Sequence, residues 1–94
     1  MANPPIDLTI RTREDVLFQG EVSAVSSINE KGRFDVLPFH ASFISLIQQK
    51  IVIHERNYIQ REILIGVGIM HVADNHVKVY LETLGSDRNQ ATVV

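Results

Sequence analysis

An all-β fold, a sandwich or barrel of eight or more short antiparallel strands, is predicted by three observations on the sequence. Apolar and polar residues alternate at period two in Ile6-Asp7-Leu8-Thr9-Ile10-Arg11 and again in Val77-Lys78-Val79-Tyr80-Leu81. Turn-forming residues punctuate the chain at spacings of roughly 8 to 12 positions. The apolar positions are filled largely by Ile and Val, whose branched side chains suit a pleated, half-buried surface.

The elements follow in order. Ile6 to Arg11 is the first strand, with Ile6, Leu8 and Ile10 on its dry face. Val16-Leu17-Phe18 is a short apolar run closed by Gly20, and Glu21 to Ile28 resumes an extended pattern, with Val22, Ala24 and Ile28 on one parity and Val25 on the other. Asn29-Glu30-Lys31-Gly32 is a polar turn ending in Gly. In the strand that leaves it, Phe34 and Val36 share a face, and Pro38, which fixes φ and lacks an N–H, ends the ladder. Phe39-His40-Ala41 therefore stands at a corner, free to face a partner. Phe43 to Gln48 and Lys50 to His54 read as two further strands; the apolar spacing of the first also suits one or two helical turns, and the extended reading is preferred. Glu55-Arg56-Asn57 is a hairpin loop before Tyr58 to Ile65, where Ile59, Ile63 and Ile65 share a parity. Gly66 and Gly68 bracket Val67 ahead of Ile69 to Val72, and Asp74-Asn75 is a tight hairpin turn into Val77, Val79 and Leu81. The domain spans residues 6–84, between a disordered N-terminus, residues 1–5, and a flexible polar tail, residues 85–94.

Composition narrows the function. Ninety-four residues support one core, and 45% hydrophobic with 21% charged residues describes an ordinary globular domain. Nine Lys and Arg against eleven Asp and Glu, a net charge of −2, lack the basic footprint of a nucleic-acid binder. With no cysteine there is neither a disulfide framework nor a thiolate metal site. No stretch approaches the ~20 apolar residues of a membrane span, so membrane association is expected only through another protein.

Candidate chemistry is sparse. His71 and His76 flank the Asp74-Asn75 turn, but two ligands without a third do not make a zinc site, and no metal is expected. His54, beside the Glu55-Arg56-Asn57 loop, reads as a surface residue, whereas His40 is placed either to pin the corner by a hydrogen bond or to face a partner. Gly66-x-Gly68 precedes no helix, so it reads as a bulge or close strand crossing and not as a phosphate cradle. No Ser/His/Asp or paired-carboxylate constellation is visible, and Glu14, Asp15 and Glu21 look like solvated faces, so no catalytic residue is expected.

Gly32-Arg33-Phe34-Asp35-Val36-Leu37-Pro38-Phe39-His40-Ala41 resembles the Gly-x-Phe-Gly-(Ile/Val)-Leu-Pro-Gly-His-Ala-Pro signature of the epsilon subunit of F-type ATP synthases. Three more stretches agree in order. Thr12 to Val22 is similar to Thr-Pro-Glu-x-x-x-(Phe/Tyr)-x-Gly-Glu-(Val/Ala), Gly66 to Val72 to Ser-Gly-Gly-(Phe/Ile)-x-Glu-Val, and Asn75 to Leu81 to Asn-x-Val-x-Val-Leu. The likeness covers residues 6 to 84. Arg13 replaces a Pro, Asp35 and Phe39 replace glycines, and Ser42 replaces the closing Pro. If the family needs positive φ at position 39, Phe39 requires that the corner be rebuilt. The exchange at Gly66 and Val67 shifts close backbone approach by one residue.

The resemblance implies an antiparallel β-sandwich of about ten short strands in two sheets, and a non-catalytic rotor subunit of the central stalk of a proton-translocating ATP synthase. It would dock the gamma subunit onto the c-ring, support torque transmission, and sit at the cytoplasmic face of the bacterial inner membrane. Phe39, His40, Ala41 and Ser42 are the implied gamma-facing residues; Glu30, Lys31, Gly32 and Arg33 are the implied c-ring-facing ones, with Arg33 where an acidic residue is usual. The family's C-terminal helical hairpin has no counterpart after Leu84, so no cofactor and no ATP binding are expected. The alternative is a free-standing β-sandwich module binding a peptide or small ligand at a sheet edge, which an exposed aromatic cluster would favour. Aromatic residues make up only 6% of the chain and include no Trp.

Overall fold

A computed structural model describes residues 4–82. Seven strands form one hydrogen-bonded sheet: β1 (Ile6–Arg11), β2 (Val16–Val22), β3 (Ala24–Asn29), β4 (Gly32–Val36), β5 (Phe43–His54), β6 (Gln60–Ala73) and β7 (His76–Leu81). Their order across the sheet is β2-β1-β7-β6-β5-β3-β4. The all-β class is as predicted and no helix occurs among the described residues. The tail of residues 85–94 and most of the N-terminal stretch lie outside the described residues.

The strand count is lower than the ten expected, because breaks read from the sequence are bulges in the structure. Phe43 to His54 runs as one strand through Gln49, which takes a left-handed φ of 72°. The β3–β5 register jumps from Ser27↔Ile51 to Ile28↔Gln48, leaving Gln49 and Lys50 unpaired with β3. On the partner strand, Gln48↔Val67 is followed by Gln49↔Ile65, so Gly66 is the extra residue of a bulge in β6. An extra residue bends a strand without ending it. Conversely, the extended stretch expected from Glu21 to Ile28 is divided at Ser23 into β2 and β3. The break resets the side-chain alternation, so Val22 and Val25 both face the core despite their opposite parity.

The ladder is not wholly antiparallel, since β1 and β7 pair in parallel, Leu8 against Val77 and Ile10 against Val79. A parallel pair needs a long crossover. Here the whole of the intervening chain supplies it.

The bends close the sheet over one core. Ile6, Leu8 and Ile10 of β1 share a buried cluster with Val25 of β3, Val36 of β4 and Ile53 of β5. Three strands separate β1 from β3 in the sheet order, about 19 Å across a flat sheet at ~4.8 Å per strand, so a flat sheet could not bring them together. Two packed layers can. Phe34 of β4 meets Phe43 of β5 edge to face, with ring centroids 5.8 Å apart, and the Arg61 guanidinium of β6 stands 5.9 Å above the ring of Phe18 on β2. The alternation read in β1 and β7 holds, with Ile6, Leu8, Ile10, Val77, Val79 and Leu81 all buried.

Candidate docking surfaces

The signature corner is built by two nested turns. The His40 amide donates to the Leu37 carbonyl at 3.1 Å, closing a turn over Pro38 and Phe39. Pro at the second position and a positive φ at the third, 68° at Phe39, describe a type II turn, whose third position ordinarily takes Gly. The Phe39 amide donates to Asn75 Oδ1 at 2.7 Å, so the strained residue is held from outside its own turn. Asn75 is available because Asp74 and Asn75, at φ 52° and 60°, form the left-handed hairpin turn between β6 and β7. The rebuilding expected from Phe at this position has therefore not occurred: the left-handed backbone is kept and Asn75 helps to hold it.

The corner faces outward. Phe39 is 74% exposed, and His40, Ala41 and Ser42 are exposed beside it. His40 Nδ1 lies 2.8 Å from the Ala41 carbonyl and its ring centroid 5.0 Å from that of Phe43. His40 thus pins the corner and is solvent-facing at once.

The charged turn lies at the other end of β4. Asn29 Oδ1 accepts the Lys31 amide at 2.9 Å, and Gly32, at φ 114°, supplies a backbone shape that side-chain-bearing residues avoid. Glu30, Lys31 and Arg33 are exposed and Gly32 is half-buried. Arg33 lies 3.6 Å from Asp35, so part of the positive charge it presents is compensated along its own strand. The two sequence-predicted groups are separated by the length of β4, about 17 Å at ~3.3 Å per residue, and are two surfaces and not one site.

A polar network sequence reasoning missed ties β4, β3 and β5 together. Ser26, fully buried, donates its hydroxyl proton to Asp35 Oδ1 at 2.5 Å and lies 2.9 Å from His54 Nε2. Its only proton is taken by the carboxylate, so His54 must donate from Nε2. His54 is thus a structural strut and not the free surface residue expected. The Ser26 hydrogen bond lowers the Asp35 pKa; burial opposes it, and the Arg33 charge and hydrogen bond and then the His54 charge add to the lowering. The three residues do not form a nucleophilic triad, because the carboxylate binds the hydroxyl and does not orient the imidazole.

A second missed feature is an apolar outer face. Cross-strand pairs place Leu46 beside Ile69 and Ile69 beside Tyr80, with Ile44 and Val67 on the same face; each is 46 to 70% exposed. Alternation along β5 and β7 contains this signal, but only the strand order shows that the exposed positions are neighbours. His71 sits opposite Lys78, whereas His76 pairs with Asp7 of β1 at 3.2 Å, so the two histidines do not face each other. No group of three His, Cys, Asp or Glu able to hold a metal is found among the described residues. The exposed aromatics are dispersed: Phe39 lies in the β4–β5 connection, Tyr58 in the β5–β6 connection and Tyr80 on β7.

The predicted residues lie on exposed turns of a small all-β domain. The chain belongs to the ATP synthase delta/epsilon family: the family's beta-sandwich domain matches residues 5–85. It is 36% identical over 78 residues to the ATP synthase epsilon chain of a Nitratiruptor species, covering 82% of this chain and 60% of that one. It is 32% identical over 79 residues to the epsilon chain of Herpetosiphon aurantiacus, covering 84% and 58% respectively. The chain thus spans about three-fifths of the length of these relatives. The same fold occurs in a chain of the Euglena gracilis mitochondrial ATP synthase (OSCP/F1/c-ring), at 20% identity and TM-score 0.79, covering 89% of this chain and 56% of that one. It also occurs in the central stalk/c-ring structure of the Tetrahymena thermophila enzyme, at 12% identity and TM-score 0.69, covering 94% and 71%.

Proposed function

We propose that this domain is a non-catalytic rotor component of a bacterial ATP synthase, docking the gamma subunit onto the c-ring at the cytoplasmic face of the inner membrane. The observation that carries the reading is the Leu37–His40 corner. A strained Phe39, fixed through Asn75 and left 74% exposed, is a costly arrangement for a residue without a partner. In this reading Phe39, His40, Ala41 and Ser42 meet gamma, while Glu30, Lys31, Gly32 and Arg33 at the far end of β4 meet the polar loops of the ring. A shaft standing on a ring has a small footprint, and a wedge that touches both adds buried area that resists slipping under torque. A stable contact of this kind needs on the order of 1,000 Å².

Co-purification with the gamma subunit and with detergent-solubilised c-ring tests the assignment. Phe39→Ala weakens gamma binding by about tenfold or more, the loss typical of an aromatic anchor, and leaves ring binding intact. The double charge reversal Lys31→Glu with Arg33→Glu does the opposite. Unchanged ring binding after the reversal removes the turn from the interface, and unchanged gamma binding after Phe39→Ala removes the corner.

A further inference from the structure

We propose that Asn75 is a positioning residue of the docking corner: its side-chain carbonyl holds Phe39 in the left-handed backbone that presents residues 39 to 42, so the corner's affinity for gamma is set from a hairpin thirty-six positions away. This role rests on the docking reading given above. Of the two central residues of the Leu37–His40 turn, Pro38 has its φ fixed by its own ring. Nothing within the turn fixes Phe39, whose φ of 68° is one that side-chain-bearing residues leave when free to do so. The turn's own hydrogen bond uses the His40 amide and the Leu37 carbonyl, which leaves the Phe39 amide for Asn75 Oδ1 at 2.7 Å.

Asn75 can serve as a fixed post because it is itself held. Its carbonyl accepts the Asp7 amide at 2.9 Å, which ties the β6–β7 turn to β1. The pairing of Phe43 with Val72 seats the chain that leaves the corner on the strand that leads into the same turn. A short amide side chain suits the post, since Asn tolerates the left-handed φ of 60° at position 75 and still offers an acceptor. A corner that is competent only part of the time binds more weakly by that fraction, so an outside hold on Phe39 raises affinity without touching the partner.

Two substitutions separate this role from the stability of the hairpin. Asn75→Gly keeps the turn, because Asp-Gly is a favoured pair for left-handed hairpin turns, but removes the acceptor. Asn75→Asp keeps an oxygen in reach of the Phe39 amide. Titration with purified gamma subunit should find binding by Asn75→Gly weakened about three- to tenfold, the worth of one hydrogen bond, with Asn75→Asp rescuing it. In a Phe39→Gly background, where the left-handed φ needs no hold, Asn75→Gly should add less than about a twofold loss. In the isolated chain, the backbone chemical shifts of residue 39 should move with Asn75→Gly and stay in place with Asn75→Asp. Equal binding by the parent and Asn75→Gly overturns the positioning role and leaves the docking reading intact. Equal losses for the Gly and Asp variants overturn it too, since the acceptor is then irrelevant. An undiminished loss in the Phe39→Gly background means that Asn75 acts on gamma directly and not through Phe39, which again overturns it. If the parent itself does not bind gamma, the docking reading fails and this role falls with it.

Discussion

Phe39 shows what one side chain in the wrong conformational region reveals. A left-handed backbone costs a non-glycine residue roughly 1 to 2 kcal/mol, and the bond from its amide to Asn75 offsets part of that. Phe39→Gly removes the strain but adds freedom to the unfolded chain, worth about 0.5 to 1 kcal/mol the other way. Chemical denaturation should therefore find the variant as stable as the parent or more so, while its affinity for gamma falls. A variant that unfolds clearly earlier shows that the ring itself supports the fold. The residue type was legible in the sequence, but its φ was not, because the tether comes from Asn75, thirty-six positions away. Asp35 carries a second expectation for a single side chain. Its pKa is lowered in the folded state, so the stability it contributes is present above the ordinary carboxylate value and is lost as pH falls through the lowered one. Acid titration of unfolding should show this loss in the parent and not in Asp35→Asn; because the carboxylate is about half exposed, the effect is modest.

Among the strands, the long pair β5 and β6 decides the architecture. Twelve and fourteen residues run through bulges at Gln49 and Gly66, where the sequence suggested separate strands. Polar and glycine residues mark a turn and a bulge alike, and local composition does not say whether a partner strand continues past the interruption. The close approach expected near Gly66 and Val67 is found at Gly68, where an added Cβ would lie 2.8 Å from Leu81 Cδ2 and 2.9 Å from the Tyr80 carbonyl oxygen. The Leu81 methyl can swing aside, but the Tyr80 oxygen moves only with the β7 backbone. Gly68→Ala should destabilise by about 1 to 3 kcal/mol in denaturant unfolding, the usual cost of overpacking. The hairpin at Asp74-Asn75 was legible in full, since both residues tolerate left-handed geometry and the flanking alternation fixes the register.

For the domain taken together, two surfaces separated by the length of β4 suit a part that bridges two partners, and the paired docking experiment reads out that arrangement. Its discriminating result is independence: a variant at Phe39 and one at Lys31 with Arg33 should each lose one partner and keep the other, because sites this far apart without shared contacts behave additively. The apolar face of Leu46, Ile69 and Tyr80 enlarges the area available for docking beyond the loops that sequence motifs mark.

Reading the residues alone was enough for the all-β class, the buried stripes of β1 and β7, the end of β4 before Pro38, the family, and the exposure of residues 39 to 42, because each depends on neighbours a few positions apart. It took the folded chain to reveal that β1 and β7 run parallel, that Ser26 joins Asp35 to His54, and that Asn75 holds Phe39. Those features depend on which distant segments lie side by side, and a period-two pattern specifies which face of a strand is dry without specifying its neighbour.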